Sequence, residues 1–235
     1  MARSQGMMNL STHRYAVPVV CAVVALGGTI GVIELADAAT ESDGLAALDP
    51  QFTANVVSNR TPVLTALARG FTFVGNGPVL VTLLLIASLL LWRWTHSLRA
   101  PALLLFAMAG STALTAGVKA LVARKRPGIT FVLGPVEDSF AFPSGHTLNS
   151  TVFFITLAGL VWVGLRSFGP RTALAVAALL MSIGIGLSRI YLGHHWATDV
   201  LAGWTVAITW LALVCLVAYI SRSSDSVRAE DPLRG

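Results

Sequence analysis

Ser188-Arg189-Ile190-Tyr191-Leu192-Gly193-His194-His195-Trp196-Ala197-Thr198-Asp199 sets one arginine, two histidines and one aspartate between two long apolar runs. Ionisable side chains beside or within a bilayer are costly, so their clustering there marks function. His195 and Asp199 stand four apart, which on a helix puts them on one face, one turn from each other. An aspartate so placed holds an imidazole by one ring nitrogen and leaves the other free to act. Taken alone, the pair serves equally as a helix cap at a membrane surface.

The rest of the chain supplies the apolar setting. Of its 235 residues 55% are hydrophobic and only 11% charged, and the mean hydropathy is +0.74. A soluble domain carries about a quarter charged residues, so an all-α polytopic membrane protein is predicted. The net charge of +5 would suit nucleic acid, but the basic residues sit in short caps between apolar runs, where membrane topology accounts for them. Cys21 and Cys215 fall inside apolar runs and read as packing residues, with no disulfide framework or CxxC pattern.

Six runs approach the ~20 apolar residues that one transmembrane helix needs: roughly 15–35, 74–92, 102–122, 147–165, 172–191 and 197–220. The first could instead be a signal peptide, with Ala36-Asp37-Ala38 as cleavage site; its length favours a retained anchor. If the runs alternate, Arg93, Arg99, Arg166, Arg171 and the arginines of both tails share one side, which the positive-inside rule makes cytoplasmic. The loops after the third and fifth runs then share the outer face. The layout predicted is a cytoplasmic tail over 1–14, a membrane domain over 15–221 and a polar, disordered cytoplasmic tail over 222–235. Within it, 37–77 forms an interfacial segment of short amphipathic helices, with Asp49-Pro50 and Thr61-Pro62 as starts. Such helices suit either guidance of a lipid tail or plain structural cover.

Two further clusters face the same side. Lys119 and Arg126 lie seven apart, so on a helix ended by Pro127 both point one way. A planar fork and a point charge converging suit a phosphate, although alone the pair also reads as an interfacial anchor. In Pro143-Ser144-Gly145-His146, Ser144 reads as an N-cap and Gly145 admits close approach to the first turn's free N–H groups, an anion site with His146 at its lip. The connection from Gly128 to Phe142, with Glu137 and Asp138, reads as an interfacial loop or a lid. His194 points away from His195 on a helix and reads as an interfacial polar residue.

Together, Lys119-x6-Arg126-Pro127, Pro143-Ser144-Gly145-His146 and Ser188-Arg189-x5-His195-x3-Asp199 resemble the three-part signature of the type 2 phosphatidic acid phosphatase family, which shares its site with vanadium-dependent haloperoxidases. The resemblance implies His195 as nucleophile forming a phosphohistidine, Asp199 orienting its ring and His146 as general acid. It implies Lys119, Arg126, Ser144, Gly145 and Arg189 as phosphoryl ligands, with no metal, no cofactor and no obligatory protein partner. The activity implied is hydrolysis of a membrane lipid phosphate or diphosphate at the outer leaflet, undecaprenyl diphosphate foremost. Phosphatidate and phosphatidylglycerophosphate remain open as substrates, as does phosphotransfer to an alcohol. A metal site from His146, His195 and Asp199 and a non-catalytic lipid binder are the readings from other classes.

Overall fold

The structure, a computed structural model, describes the backbone of residues 2–230 and the side chains of residues 15–221. All regular structure among these residues is helical: α1 (Ala2–Glu41), α2 (Asp49–Ser58), α3 (Pro62–Val74), α4 (Gly77–Thr95), α5 (Arg99–Val122), α6 (Gly145–Gly164), α7 (Phe168–Tyr191) and α8 (Ala197–Glu230), with two 3-10 turns. Among the described residues six helices are long and apolar enough to cross a bilayer: α4 to α7, Tyr15–Glu41 of α1 and Ala197–Ser221 of α8.

The predicted boundaries shift where local chemistry decides them. Val74 belongs to α3, because the chain breaks at Gly75 and Asn76 before Pro78 enters the first turn of α4. Ala36-Asp37-Ala38 lies inside α1 rather than in the interfacial segment, and the adjacent Ala39 packs with Phe142 and Ala202. Thr61 caps α3 as expected, its hydroxyl accepting the Leu64 N–H at 3.3 Å. Asp49 does not cap α2: it is the helix's first residue, and its carboxylate turns to Thr198 and Arg124. The backbone of α8 stays helical to Glu230, where a disordered tail is predicted, since neither Gly nor Pro stands between Ser221 and Pro232; residues 231–235 lie outside the described residues.

The core joins Leu104, Ala107 and Met108 of α5 to Leu148, Val152 and Phe153 of α6 and Val206 and Ala207 of α8, with Leu80 and Leu91 of α4 at its edge. Small residues set the closest approaches: Gly28 of α1 lies against Thr209 of α8, and Gly110 against the Trp210 ring, whose Nε1 donates to the Ala107 carbonyl at 2.8 Å. Such interfaces hold helices together where lipid tails compete for apolar surface. The outward faces stay apolar for the same reason: Val23, Leu26, Ile30 and Ile33 of α1 are exposed.

This helix order brings the ends of α5 and α7 and the starts of α6 and α8 to one face. There Arg60 donates to the Tyr191 carbonyl at 2.9 and 2.7 Å and to the Phe131 carbonyl at 2.7 Å. It thereby satisfies an orphan carbonyl at the end of α7 and ties the segment before α3 to the loop over the site.

Candidate active site

Lys119 stands in the last turn of α5, but the helix does not continue to Arg126. It ends at Val122, and Ala123 takes a left-handed conformation, φ +49°, with its N–H on the Lys119 carbonyl. Arg124 to Pro127 is non-helical, in keeping with the bias of a pre-proline residue away from the α region. Arg126 reaches the predicted place by this other route. Its Nη1 lies 3.1 Å from His195 Nε2 and 2.8 Å from the His194 carbonyl, while Nε donates to the Ser139 carbonyl at 2.6 Å.

His195 is not on a helix with Asp199. The turn Leu192–Trp196, opened by Gly193 at φ +76°, holds it before α8, and both the His194 and His195 N–H groups bond the Arg189 carbonyl. A Cβ at Gly193 would stand 2.1 Å from the Phe131 carbonyl oxygen, so the turn needs glycine twice over. Asp199, in the first turn of α8, accepts the Trp196 N–H at 2.9 Å, one half of a capping box. The same oxygen lies 3.4 Å from His195 Nδ1. A guanidinium can only donate, so its approach to Nε2 assigns the proton to Nδ1, facing Asp199. Burial, then the nearby Arg189, Arg126 and Lys119 charges, hold the His195 pKa well below the usual 6.5. The imidazole is therefore neutral at neutral pH, its Nε2 lone pair available.

Ser144 caps α6 as predicted, its Oγ accepting from the Thr147 N–H at 3.4 Å and the Thr147 hydroxyl at 2.9 Å. Its own N–H donates to the Asp199 carbonyl at 2.9 Å, which fastens α6 to α8. Ser144 is fully buried and does not line the cavity; Gly145 and His146 do. A Cβ on Gly145 would stand 3.1 Å from Thr115, so glycine keeps the start of α6 close to α5.

Sequence reasoning left Glu137 in a loop of uncertain purpose, yet its carboxylate lies among the cations. It pairs with Arg126 at 2.7 Å and more closely with Arg189, and stands 3.8 Å from His194 Nδ1. Burial alone would raise its pKa, but Arg189 and Arg126 outweigh that and hold it at about 2. The next residues complete the arrangement: Ser139 binds Arg126, and the Phe140 carbonyl accepts from Lys119. All three predicted phosphate cations thus converge, and Glu137, Ser139 and Phe140 supply the acceptors around them. Arg189, 3% exposed, still keeps a buried Nε without a partner. The only signal for Glu137 in the sequence was an acid in the connection between Lys119-x6-Arg126 and His146, in a chain with few acids.

Two more residues were missed. Arg124, which the sequence did not single out, bridges Asp199 at 2.7 Å and Asp49 at 2.8 Å. His194 is not an interfacial residue: it is 5% exposed, and burial followed by the Arg189 charge lowers its pKa to about 4. A cavity of about 620 Å³ leads from Lys119, Arg126, His146 and His195 past Asn149 and Thr112 to Met108, Leu105, Leu84, Val81 and Leu80, between α4 and α5. One end is cationic and the other apolar, as a phosphorylated lipid requires. Among the described residues no three His, Cys, Asp or Glu side chains converge in a metal-holding group.

Residues 100–222 match the PAP2 superfamily. Phosphatidylglycerophosphatase B of Bacillus subtilis is 27% identical over 180 residues, 75% of this chain and 86% of that protein. Undecaprenyl-diphosphatase of Sulfolobus acidocaldarius is 31% identical over 85 residues, 36% of each chain. Among solved structures, the transmembrane PAP2-type phosphatidylglycerolphosphate phosphatase from Bacillus subtilis superposes with a TM-score of 0.73 at 25% identity, covering 81% of this chain and 93% of that one.

Proposed function

The chain belongs to the PAP2 superfamily, and from that premise we propose that it hydrolyses a lipid phosphate in the membrane through a phosphohistidine on His195. The observation that carries this reading is the convergence of the Lys119, Arg126 and Arg189 charges on His195, with Arg126 at its Nε2, beside an apolar cavity that Lys119, Arg126 and His195 line. Phosphoryl transfer asks chiefly for in-line positioning and neutralisation of charge. Three cations and the N–H groups at the start of α6 not taken by the Ser144 cap supply both.

In the first step Nε2 attacks phosphorus and the bond to the lipid oxygen breaks, with His146 donating a proton to the leaving oxygen. Asp199 accepts the Nδ1 proton in a hydrogen bond and balances the positive charge on the phosphorylated ring. In the second step water attacks phosphorus, His146 takes its proton, and the N–P bond breaks to release phosphate. Ser144 supports this site as the cap that holds Gly145 and His146 in place. None of these steps calls on a metal, so activity is expected to survive exhaustive chelation.

A relative alike over 75% of the chain is a phosphatidylglycerophosphatase, which puts phosphatidylglycerophosphate first among substrates. Undecaprenyl diphosphate, the sequence expectation, stands beside it, supported by the Sulfolobus acidocaldarius relative and by a putative undecaprenyl-diphosphatase of Escherichia coli that is 30% identical over 63% of this chain. On this reading the site faces the extracytoplasmic side and both termini are cytoplasmic, by the positive-inside rule: the opposite helix ends carry Arg93, Arg99, Arg166 and Arg171, none of which belongs to the site. The deciding experiment measures phosphate release from both lipids and phosphatidate by the purified protein, with His195→Ala as blank. Turnover that persists in the variant rejects the reading, and phosphoryl transfer to added alcohol without free phosphate replaces hydrolysis by phosphotransfer.

A further inference from the structure

Arg124 lies between two buried carboxylates. Its Nη1 donates to Asp199 Oδ1 at 2.7 Å and to Thr198 Oγ1 at 2.7 Å, and its Nη2 to Asp49 Oδ2 at 2.8 Å. Asp49 in turn accepts the Thr198 backbone N–H at 3.1 Å and the Thr198 hydroxyl. Asp199 is 0% and Asp49 2% exposed, so neither charge is relieved by water. The left-handed Ala123 and a bond from the Ala141 N–H to the Arg124 carbonyl place this arginine, and its guanidinium lies 5.8 Å from the centre of the Trp196 ring. Asp49 belongs to α2, outside residues 100–222 that match the superfamily.

We propose that Arg124 and Asp49 are positioning residues that set the orientation and effective charge of Asp199, and through it the reactivity of His195. The bond from Arg124 takes Oδ1 and leaves Oδ2 to the imidazole. A guanidinium paired with Asp199 alone would cancel the charge that steadies a positive ring. Asp49 shares that guanidinium, and two carboxylates against one cation leave one net negative charge beside His195. A helix outside the recognised motifs thus completes the site, by a fork that lysine cannot reproduce.

This inference rests on the phosphohistidine reading, and the test keeps the two apart. Asp49→Asn, Asp199→Asn, their double variant and His195→Ala are made in the full chain, and kcat and KM are measured per folded protein in detergent. Asp49→Asn lowers kcat about tenfold with KM within about twofold, and Asp49→Glu recovers part of the loss. Because Asp49 acts only through Asp199, the double variant is no slower than Asp199→Asn alone. Losses that multiply, or an unchanged kcat in Asp49→Asn, overturn the inference while His195→Ala remains inactive; an active His195→Ala overturns the phosphohistidine reading instead. Should Asp49→Asn not fold, Arg124→Lys takes its place in the same cycle, with and without Asp199→Asn, and the same two outcomes decide.

Discussion

Nη1 of Arg126 lies 3.1 Å from Nε2 of His195, across 69 residues of chain. One comes from the connection after α5, the other from the turn before α8, and the alternation of spans brings those connections to the same face. The contact carries both halves of the proposed chemistry: it aims a phosphate ligand at the attacking atom, and it requires that atom to be an unprotonated acceptor. Replacing Arg126 by lysine keeps the charge and loses the fork. We expect kcat/KM to fall about 10- to 100-fold, the scale of one charge-assisted hydrogen bond. An unchanged value in steady-state kinetics would remove Arg126 from phosphate binding.

Glu137 lies between Arg126 and Arg189, the two arginines proposed to bind the phosphoryl group, so on that reading an incoming anion has to displace it. Glu137→Gln removes the competing charge, and orthovanadate, an analogue of the phosphoryl transition state, is expected to inhibit the variant about tenfold more tightly. Weaker inhibition would mean that the carboxylate assists anion binding instead.

The cavity between α4 and α5 is apolar away from the cations. Filling it with Leu84→Trp is expected to raise KM for a long-chain lipid phosphate about tenfold, roughly the worth of one or two buried methylenes. A small water-soluble phosphate ester would be turned over as before. Equal effects on both substrates would place the lipid tail elsewhere.

The titrations run in one direction. His195 sits well below 6.5 and His194 at about 4, so above pH ~6.5 both are neutral folded or unfolded, and folding is unaffected. As pH falls from ~6.5 through the folded values, the unfolded chain binds protons first and stability is lost. Glu137, at about 2, adds a loss between pH ~4.5 and ~2, discounted because its side chain is 32% exposed. Melting in detergent should be flat from pH 7 to 8 and drop from 6.5 to 4. His194→Gln should flatten part of that drop, and a midpoint independent of pH across this range would contradict the burial of these imidazoles in the folded protein.

Apolar runs of bilayer length determined six helices and their alternation, because in lipid each span must satisfy its own backbone hydrogen bonds and length is readable residue by residue. Cap and breaker chemistry located Ser144 and Thr61 as helix starts for the same local reason. The ionisable residues stood out against a nearly chargeless background, so Lys119, Arg126, His146, Arg189, His195 and Asp199 were legible before their geometry was. Spacing misled where it assumed helix: Arg126 lies beyond the end of α5 and His195 before the start of α8, and a left-handed alanine and a glycine turn bring them to their places. Glu137, Arg124 and Asp49 depended on the tertiary structure altogether. An ion pair between residues 75 positions apart, as in Arg124 with Asp49 or with Asp199, leaves no periodicity in the chain; it exists only once packing has removed water and left each buried charge in need of a partner.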